Sequence, residues 1–304
     1  MFKRYFISGA HRSGTSWVGK MISASNNFYL RDEELFNCVS EIADFPFDNM
    51  YTHICKENED LYKDFIINMV NNNYSMTRAL KRMKSERDFF RILKRKGRSL
   101  IRKFNYNSPI FIEPIGLFSA EWFAKRFNST NIIVIRHPAS FISSLIKLNW
   151  SFDFSHFLNQ EILMKKYLLN FKNEIINPPD KKNILETGIL LWKCIYSVVS
   201  EYRKKFPDWI FVRHEDLAND PINEYKKLYN KLSLNFSDEA KNIIIEHTSP
   251  SNPIEFSGAT DDSKRDSKNT IKIWKKRLKK NDVIKIYNEV KSVSDEFYSE
   301  KSWE

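Results

Sequence analysis

The sequence predicts an α/β fold in which a central parallel sheet is flanked by helices. Two observations support this prediction. Short apolar segments of strand length alternate with segments of helical periodicity along most of the chain. The most continuous apolar segment, residues 131–136 (NIIVIR), is typical of a parallel strand that is buried on both faces.

The elements follow one another in a regular order. We expect strands at 5–8, 109–113, 131–136 and 209–213, and helices from about Trp17 and at 118–127, 139–148, 187–205 and 222–232. Segments 40–105 and 150–185 are mostly helical in pattern and lie between predicted strands. We therefore expect residues 1–304 to form a single domain with helical insertions at about 40–105 and 150–185.

The composition narrows the class of protein. With 304 residues, 42% hydrophobic and 29% charged, the chain can bury a full core. Its three widely spaced cysteines include no CxxC pair, which indicates a reducing compartment and argues against a structural zinc site. No signal peptide and no apolar run of roughly 18–20 residues is present. We expect a cytoplasmic protein.

The positive charge is concentrated in residues 78–103. This segment has twelve basic and two acidic residues, which leaves +10 of the chain's net +11. Apolar residues recur within it at helical spacing. Such a helix can lie on an anionic membrane, bind an acidic polymer, or form a solvated face. We expect either peripheral contact with an anionic membrane or substrate, or a solvated face. Nucleic acid is not an expected partner, because no nucleic-acid-binding motif accompanies the segment.

Residues 9–16 form a P-loop-like strand–loop–helix unit. A loop with glycines at such a position offers backbone N–H groups and a helix dipole to phosphate. The segment departs from G-x-x-x-x-G-K-[ST], because Thr15 stands where the lysine would be and the cation is Arg12. The strand 131–136 also ends in Arg136 where a Mg–ATP site needs aspartate. The loop therefore predicts binding of phosphate-like anions without Mg–ATP.

Arg136 provides a second anion-binding candidate. It lies at the carboxyl end of a predicted strand, where open parallel sheets bind ligands, and Ser144 follows on the next helix. A guanidinium can bind phosphate bidentately, although a structural ion pair is an equal alternative for Arg136 taken alone. Together with the loop, it indicates a ligand that is anionic at two separated points.

At this point the chain resembles the sulfotransferases that use 3′-phosphoadenosine 5′-phosphosulfate (PAPS), particularly those of the bacterial and carbohydrate type. Four segments carry the resemblance, in the family's order: residues 11–17, residues 133–138 with Ser144, residues 212–221, and the basic segment 264–268 with 274–275. The resemblance implies a PAPS co-substrate, a PAP product and no metal. The cofactor-binding residues that it implies are His11, Arg12, Ser13, Gly14, Thr15, Ser16, Trp17, Arg136, Ser144, Trp192, Lys264, Arg265 and Ser267. Trp17 is the leading candidate for a wall of the adenine slot, and Trp192, which could equally belong to the core, is the second.

Transfer of the sulfuryl group needs a cation for the leaving phosphate and a base for the acceptor hydroxyl. Arg12 is the candidate cation. The candidate bases are Glu113, which ends a predicted strand, and Glu33 or Glu34, with His53 a further alternative. The alternative role for Glu113 is a strand-end cap or a partner for a nearby arginine. Glu215 and Asp216 are expected to cap the following helix, with Asp216 as its N-cap.

The expected acceptor is a hydroxyl of a carbohydrate or glycoconjugate, such as a glycan or a lipid-linked sugar. Four aromatic residues could stack on a sugar or equally belong to the core: Trp150, Phe152, Phe154 and Phe157. Two alternatives stay open, a kinase-like phosphotransferase with an altered P-loop and a non-enzymatic module that binds anionic lipid or polymer through residues 78–103.

Overall fold

Five parallel strands form the centre of the protein. The computed structural model describes residues 3–25, 28–32, 35–36, 46–73, 80, 86–103, 108–255 and 264–304. The sheet order is β2-β3-β1-β4-β5, with β1 at Arg4–Gly9, β2 at Phe28–Asp32, β3 at Ser108–Ile112, β4 at Ser129–Ile135 and β5 at Ile210–Arg213. The predicted parallel α/β fold is confirmed. The sequence prediction missed β2.

The helices flank this sheet and fill the connections between its strands. In the described residues they are α1 (Thr15–Ser23), α2 (Lys63–Val70), α3 (Glu86–Lys103), α4 (Ala120–Phe127), α5 (Pro138–Leu148), α6 (Ser155–Leu158), α7 (Glu161–Lys166), α8 (Lys172–Ile176), α9 (Ile184–Lys205), α10 (His214–Asn219), α11 (Pro221–Leu232), α12 (Asp238–Thr248), α13 (Ser267–Thr270), α14 (Trp274–Arg277) and α15 (Lys280–Ser294). No helix of this part of the chain is long and apolar enough to cross a membrane.

Apolar side chains cover both faces of the sheet. Successive residues of a strand point to opposite faces, so Phe6 belongs to one apolar cluster and Tyr5 and Ile7 belong to another. Strands β3 and β4 divide in the same way between the two clusters. Burial on both faces explains why these strands appear in the sequence as continuous apolar runs.

The strand order brings separate loops to one edge. Strand β1 pairs with β3 on one side and with β4 on the other, so that Ile7 lies opposite Ile112 and Gly9 lies opposite Val134. Because all five strands are parallel, the chain leaves β1, β3 and β4 at the same edge of the sheet. Open α/β sheets bind ligands in the crevice at such an edge, where successive connections diverge.

Candidate active site

The loop after β1 turns sharply into α1. Arg12 has φ 63° and Gly14 has φ 91°, and the Ser13 N–H donates to the Ala10 carbonyl oxygen at 3.0 Å. A Cβ on Gly14 would lie 2.4 Å from Cδ2 of His214, so the turn has room only for glycine. The first helical bond runs from the Val18 N–H to the Gly14 carbonyl oxygen at 3.0 Å. The N–H groups of the first turn of α1 precede this bond, and N–H groups at such a helix start can bind an anion.

The loop and the β4–α5 connection meet through two arginines. The Arg136 Nη1 donates to the Arg12 carbonyl oxygen at 2.9 Å, and the Arg12 Nε donates to the Ser144 Oγ at 3.3 Å. Arg12 is exposed and Arg136 is partly buried. Two guanidinium groups and a hydroxyl therefore lie together at the carboxyl edge of the sheet. The sequence analysis assigned the two motifs to one ligand that is anionic at two separated points, and that assignment stays a prediction.

Arg136 is held from three sides. The Tyr196 hydroxyl accepts the Arg136 N–H at 2.9 Å, and the Trp192 Nε1–H donates to the Arg136 carbonyl oxygen at 3.0 Å. Burial lowers the pKa of Arg136, and the nearby Glu215 carboxylate acts in the opposite direction. Glu215 in turn accepts the His137 N–H at 3.0 Å and the Tyr298 hydroxyl at 2.8 Å. These residues fix the backbone and charge environment of Arg136.

Two sequence predictions are corrected at this point. Trp192 is fully buried, with its ring centroid 4.6 Å from that of Tyr196. It therefore supports Arg136 from the core and does not offer a face to adenine in this structure. Asp216 is not the N-cap of α10, because the helix begins at His214 and Asp216 pairs with Arg213 at 2.6 Å. The role of Glu215 beside Arg136 carried no sequence signal beyond its place after a predicted strand.

Trp17 and two polar residues border the start of α1. Trp17 is partly buried, with its ring 5.3 Å from His214 and 5.6 Å from Tyr225. Thr15 is buried, whereas Ser16 is exposed and donates from Oγ to the Asp32 Oδ1 at 3.3 Å. Trp17 is therefore partly accessible next to the loop, and its role as an adenine wall stays a prediction.

His11 is locked inside the loop. Its backbone N–H donates to the Tyr51 hydroxyl oxygen at 2.9 Å, and the same hydroxyl lies 2.6 Å from the ring Nδ1. Burial, with a smaller contribution from the Arg12 charge, lowers the pKa of His11 to about 3. The ring is therefore neutral and shapes the loop. The ring of Trp150, which is 38% exposed, lies 4.6 Å from it.

The basic C-terminal segment is anchored to α10 and α12. Lys264 forms an ion pair with Glu246, and the Arg265 N–H donates to the His247 carbonyl oxygen at 3.1 Å. The buried Ser267 donates from Oγ to the Ala218 carbonyl oxygen at 2.7 Å. Helix α10 begins at His214, whose ring abuts Gly14, so α10 connects this segment to the loop after β1. The structure brings none of these three side chains into contact with Arg12 or Arg136 among the contacts of the described residues.

Glu113 is fully buried immediately after β3. Its carboxylate accepts the N–H of Leu35 at 2.9 Å and the N–H of Phe36 at 3.3 Å. The Ser8 Oγ donates to its carbonyl oxygen at 2.7 Å. This geometry favours the capping alternative, since both carboxylate oxygens bind backbone amides. The catalytic role of Glu113 stays a prediction.

Of the other candidate bases, the structure describes His53 but not Glu33 or Glu34. Glu33 and Glu34 lie outside the described residues, directly before the two residues that Glu113 holds. His53 is buried and its Nδ1 lies 2.7 Å from the Phe118 carbonyl oxygen. Burial lowers the pKa of His53. Within the described ranges, no group of three or more His, Cys, Asp or Glu residues could hold a metal ion.

The fold and this site define an α/β protein with a P-loop-like strand–loop–helix unit at the carboxyl edge of its sheet. Its cations are arginines, one in the loop after β1 and one after β4. The family model for the sulfotransferase domain matches residues 2–292. The chain belongs to the sulfotransferase domain family, and the predicted resemblance is confirmed.

Several solved structures are similar to the chain at low identity. A sulfotransferase domain from the curacin biosynthetic pathway is 14% identical, with 96% of this chain and 98% of that chain covered and a TM-score of 0.49. The corresponding domain of the Synechococcus PCC 7002 olefin synthase is 14% identical, with 94% and 93% covered and a TM-score of 0.46. Mouse sulfotransferase SULT7A1 complexed with PAP is 11% identical, with 99% and 87% covered and a TM-score of 0.43. No curated protein matches the sequence. The family assignment rests on the family model.

Proposed function

We propose that this sulfotransferase uses PAPS as donor and transfers its sulfuryl group to a hydroxyl of a carbohydrate or glycoconjugate. The observation that carries the proposal is the contact of Arg136 with the Arg12 carbonyl, which joins two cationic motifs at one edge of the sheet. A donor with separate 5′- and 3′-anionic groups matches two such motifs. The alternative kinase-like reaction is less well supported, because β4 is followed by Arg136 in place of an aspartate.

The polar groups at the crevice suit this donor. Three of the twelve buried polar atoms that lack a hydrogen-bond partner among the described residues belong to the loop after β1 or to residues beside it: the Ser13 Oγ, the Arg136 Nε and the His214 Nδ1. Buried polar atoms without partners are uncommon in folded proteins, and a polar ligand bound here is one way to satisfy them. We propose that the loop 11–16 holds the 5′-phosphosulfate, that Arg136 with Ser144 holds the 3′-phosphate, and that Trp17 borders the adenine.

PAPS supplies an activated sulfuryl group and a phosphate leaving group. Arg12 is placed to neutralise charge on that phosphate, since its guanidinium is exposed at the loop and oriented by the Ser144 hydroxyl. The amides that open α1 add fixed partial positive charge in the same place. Ser144 therefore both orients Arg12 and contributes a donor to the second anionic group.

The base is proposed to lie in the segment after β2. Glu113 holds Leu35 and Phe36 by their N–H groups and so fixes the chain that follows Glu33 and Glu34. A carboxylate at one of these two positions would take the proton from the acceptor hydroxyl.

Aromatic residues beside the loop favour a ring-shaped acceptor. Trp150 is 38% exposed next to His11, whereas Phe152, Phe154 and Phe157 are buried in the core. Of the four aromatic candidates, Trp150 thus has an accessible face for stacking on a sugar.

Calorimetric titration with PAP and with ADP, both in the presence of EDTA, tests the donor. We expect micromolar PAP binding and much weaker ADP binding, because only PAP carries the 3′-phosphate that pairs with Arg136. Equal affinities, or no binding of PAP, would reject the donor assignment. Sulfation of monosaccharide-containing acceptors by the same preparation, compared with simple alcohols, then tests the acceptor class.

A further inference from the structure

Helix α3 has an uncovered apolar face. Five large apolar side chains are exposed on it: Phe89 at 39%, Phe90 at 70%, Leu93 at 43%, Leu100 at 45% and Ile101 at 70%. At about 100° per residue these five positions fall within an arc of about 120°, interrupted only by Glu86 at the first residue of the helix. Gly97 lies in the same arc, and a Cβ built there meets no atom within 4 Å. Ile92, outside the arc, is buried at 7% exposure and marks the side that faces the protein.

Positive charge accompanies this face along the whole helix. Residues 86–103 include eight basic and two acidic residues, a net charge of +6. Six of the basic positions fall in the arc of about 100° next to the apolar one, by the same helical spacing: Arg87, Arg91, Lys94, Arg95, Arg98 and Arg102. The helix is therefore divided lengthwise into an apolar face and a basic face.

The separation of apolar and basic residues on α3 distinguishes between the three roles that the sequence allowed for this segment: binding a membrane, binding an acidic polymer, or forming a solvated face. A solvated face or a site for an acidic polymer requires the charges but gives no reason to expose two phenylalanines and an isoleucine. A helix with a strongly basic face and an aromatic and aliphatic face is typical of helices that lie in the interface of an anionic bilayer. An 18-residue helix of about 27 Å would lie along the surface, since its charges prevent it from spanning the membrane.

We propose that α3 binds the surface of anionic membranes, with Phe89, Phe90, Leu93, Leu100 and Ile101 inserted at the boundary of the acyl chains. The net charge of +6 on residues 86–103 attracts the helix to the lipid phosphates. The proposal does not depend on the donor or acceptor of the reaction, and it is tested without either.

The test is co-sedimentation of the full-length protein with vesicles. One set consists of phosphatidylcholine, and the other of phosphatidylcholine and phosphatidylglycerol mixed at about two to one. We expect binding to the anionic set that exceeds binding to the neutral set at least tenfold. Raising NaCl from about 0.1 M to about 1 M shortens the Debye length from about 10 Å to about 3 Å and should weaken the binding without abolishing it, because the apolar contribution remains.

A pair of double variants isolates the apolar face. Phe90→Ser with Ile101→Ser removes its two most exposed side chains and should lower the partition coefficient at least tenfold, equal to about 1.4 kcal/mol. Leu61→Ser with Leu169→Ser is the matched control, because these side chains are 71% and 62% exposed outside α3. The control should bind as the wild type does. Thermal melting of both variants verifies that they are folded.

Three outcomes would overturn the proposal. Vesicle binding that high salt abolishes and that Phe90→Ser with Ile101→Ser leaves unchanged would show a purely electrostatic contact, such as that with an acidic polymer. The wild type could also be a dimer that Phe90→Ser with Ile101→Ser converts to a monomer. If neither protein then binds vesicles, a second copy of the chain covers the apolar face. Equal binding to both vesicle sets would contradict the role of the basic face.

Discussion

Replacing Glu113 by glutamine separates a positioning role from a catalytic one. The carboxylate accepts two backbone N–H groups in a fully buried environment. Hydrogen bonds to a buried charged group contribute about 1.5–3 kcal/mol each, and glutamine retains only one neutral acceptor while turning an NH₂ group toward the other amide. We expect Glu113→Gln to lower the free energy of unfolding by about 2–4 kcal/mol, which corresponds to a fall in Tm of about 3–6 °C.

Urea unfolding and steady-state kinetics on the same preparation give the two readouts. If Glu113 positions the segment after β2, stability falls, PAP affinity stays within a few-fold, and turnover falls less than for Glu33→Gln or Glu34→Gln. A general base would instead cost about 10²–10⁴ in turnover. Glu186→Gln serves as the control, because its carboxylate pairs with Lys285 at the surface and is worth at most about 1 kcal/mol. Wild-type stability of Glu113→Gln together with a hundredfold loss of turnover would refute the positioning role.

Three further substitutions test the loop and its partners. Arg136→Ala should weaken PAP binding by about 2–4 kcal/mol, roughly 30- to 1,000-fold by calorimetry, because it removes a charge that pairs with a buried phosphate; unchanged affinity would exclude Arg136 from the site. Gly14→Ala should destabilise the protein by more than about 1 kcal/mol in urea, since φ is 91° and the new Cβ would meet His214 at 2.4 Å; Gly97→Ala, with open space and a helical backbone, should not lower stability. In the wild type, the free energy of unfolding should fall as the pH is lowered from about 6 to about 4. His11→Asn should reduce this slope by about 1.4 kcal/mol per pH unit, as measured by urea unfolding across that range.

The sign of the pH effect follows from the direction of the shift. The pKa of His11 is about 3 in the folded protein, below its ordinary value of 6.5, so the unfolded chain binds the proton first. The stability linked to neutral His11 is complete above about pH 6.5 and is lost as the pH falls toward 3. Asparagine keeps an oxygen that can accept from the Tyr51 hydroxyl but does not titrate. An unchanged slope would show that His11 is not the group responsible.

The parts of the candidate site that could be predicted from the sequence are those that depend on a strand, a turn and a helix following one another along the chain. A strand followed by a glycine turn and a helix can be recognised within about ten residues, and parallel strands necessarily send such turns to the same edge. Arg12 and Arg136 could therefore be placed together although 124 residues separate them. Strand β2 was missed for the opposite reason. Its Arg31 is buried and donates to the Met69 carbonyl oxygen at 2.6 Å, so a charged residue interrupts the apolar pattern where the tertiary structure satisfies it.

The residues that hold Arg136 come from segments with no shared motif. Trp192 and Tyr196 approach from α9, Glu215 from α10 and Tyr298 from the end of the chain. Trp192 has the apolar neighbours of a core residue and a polar Nε1–H whose partner, the Arg136 carbonyl, lies 56 positions away. The apolar sequence around Trp192 therefore predicts that the residue is buried, whereas its contact with Arg136 depends on the tertiary structure. The same reasoning applies to Glu113, whose partners precede it by 77 and 78 positions. The candidate anion-binding groups lie within short sequence motifs, whereas the groups that orient them come from distant segments of the fold. If Arg136 binds the 3′-phosphate as proposed, loss of a supporting residue should weaken nucleotide binding by displacing Arg136.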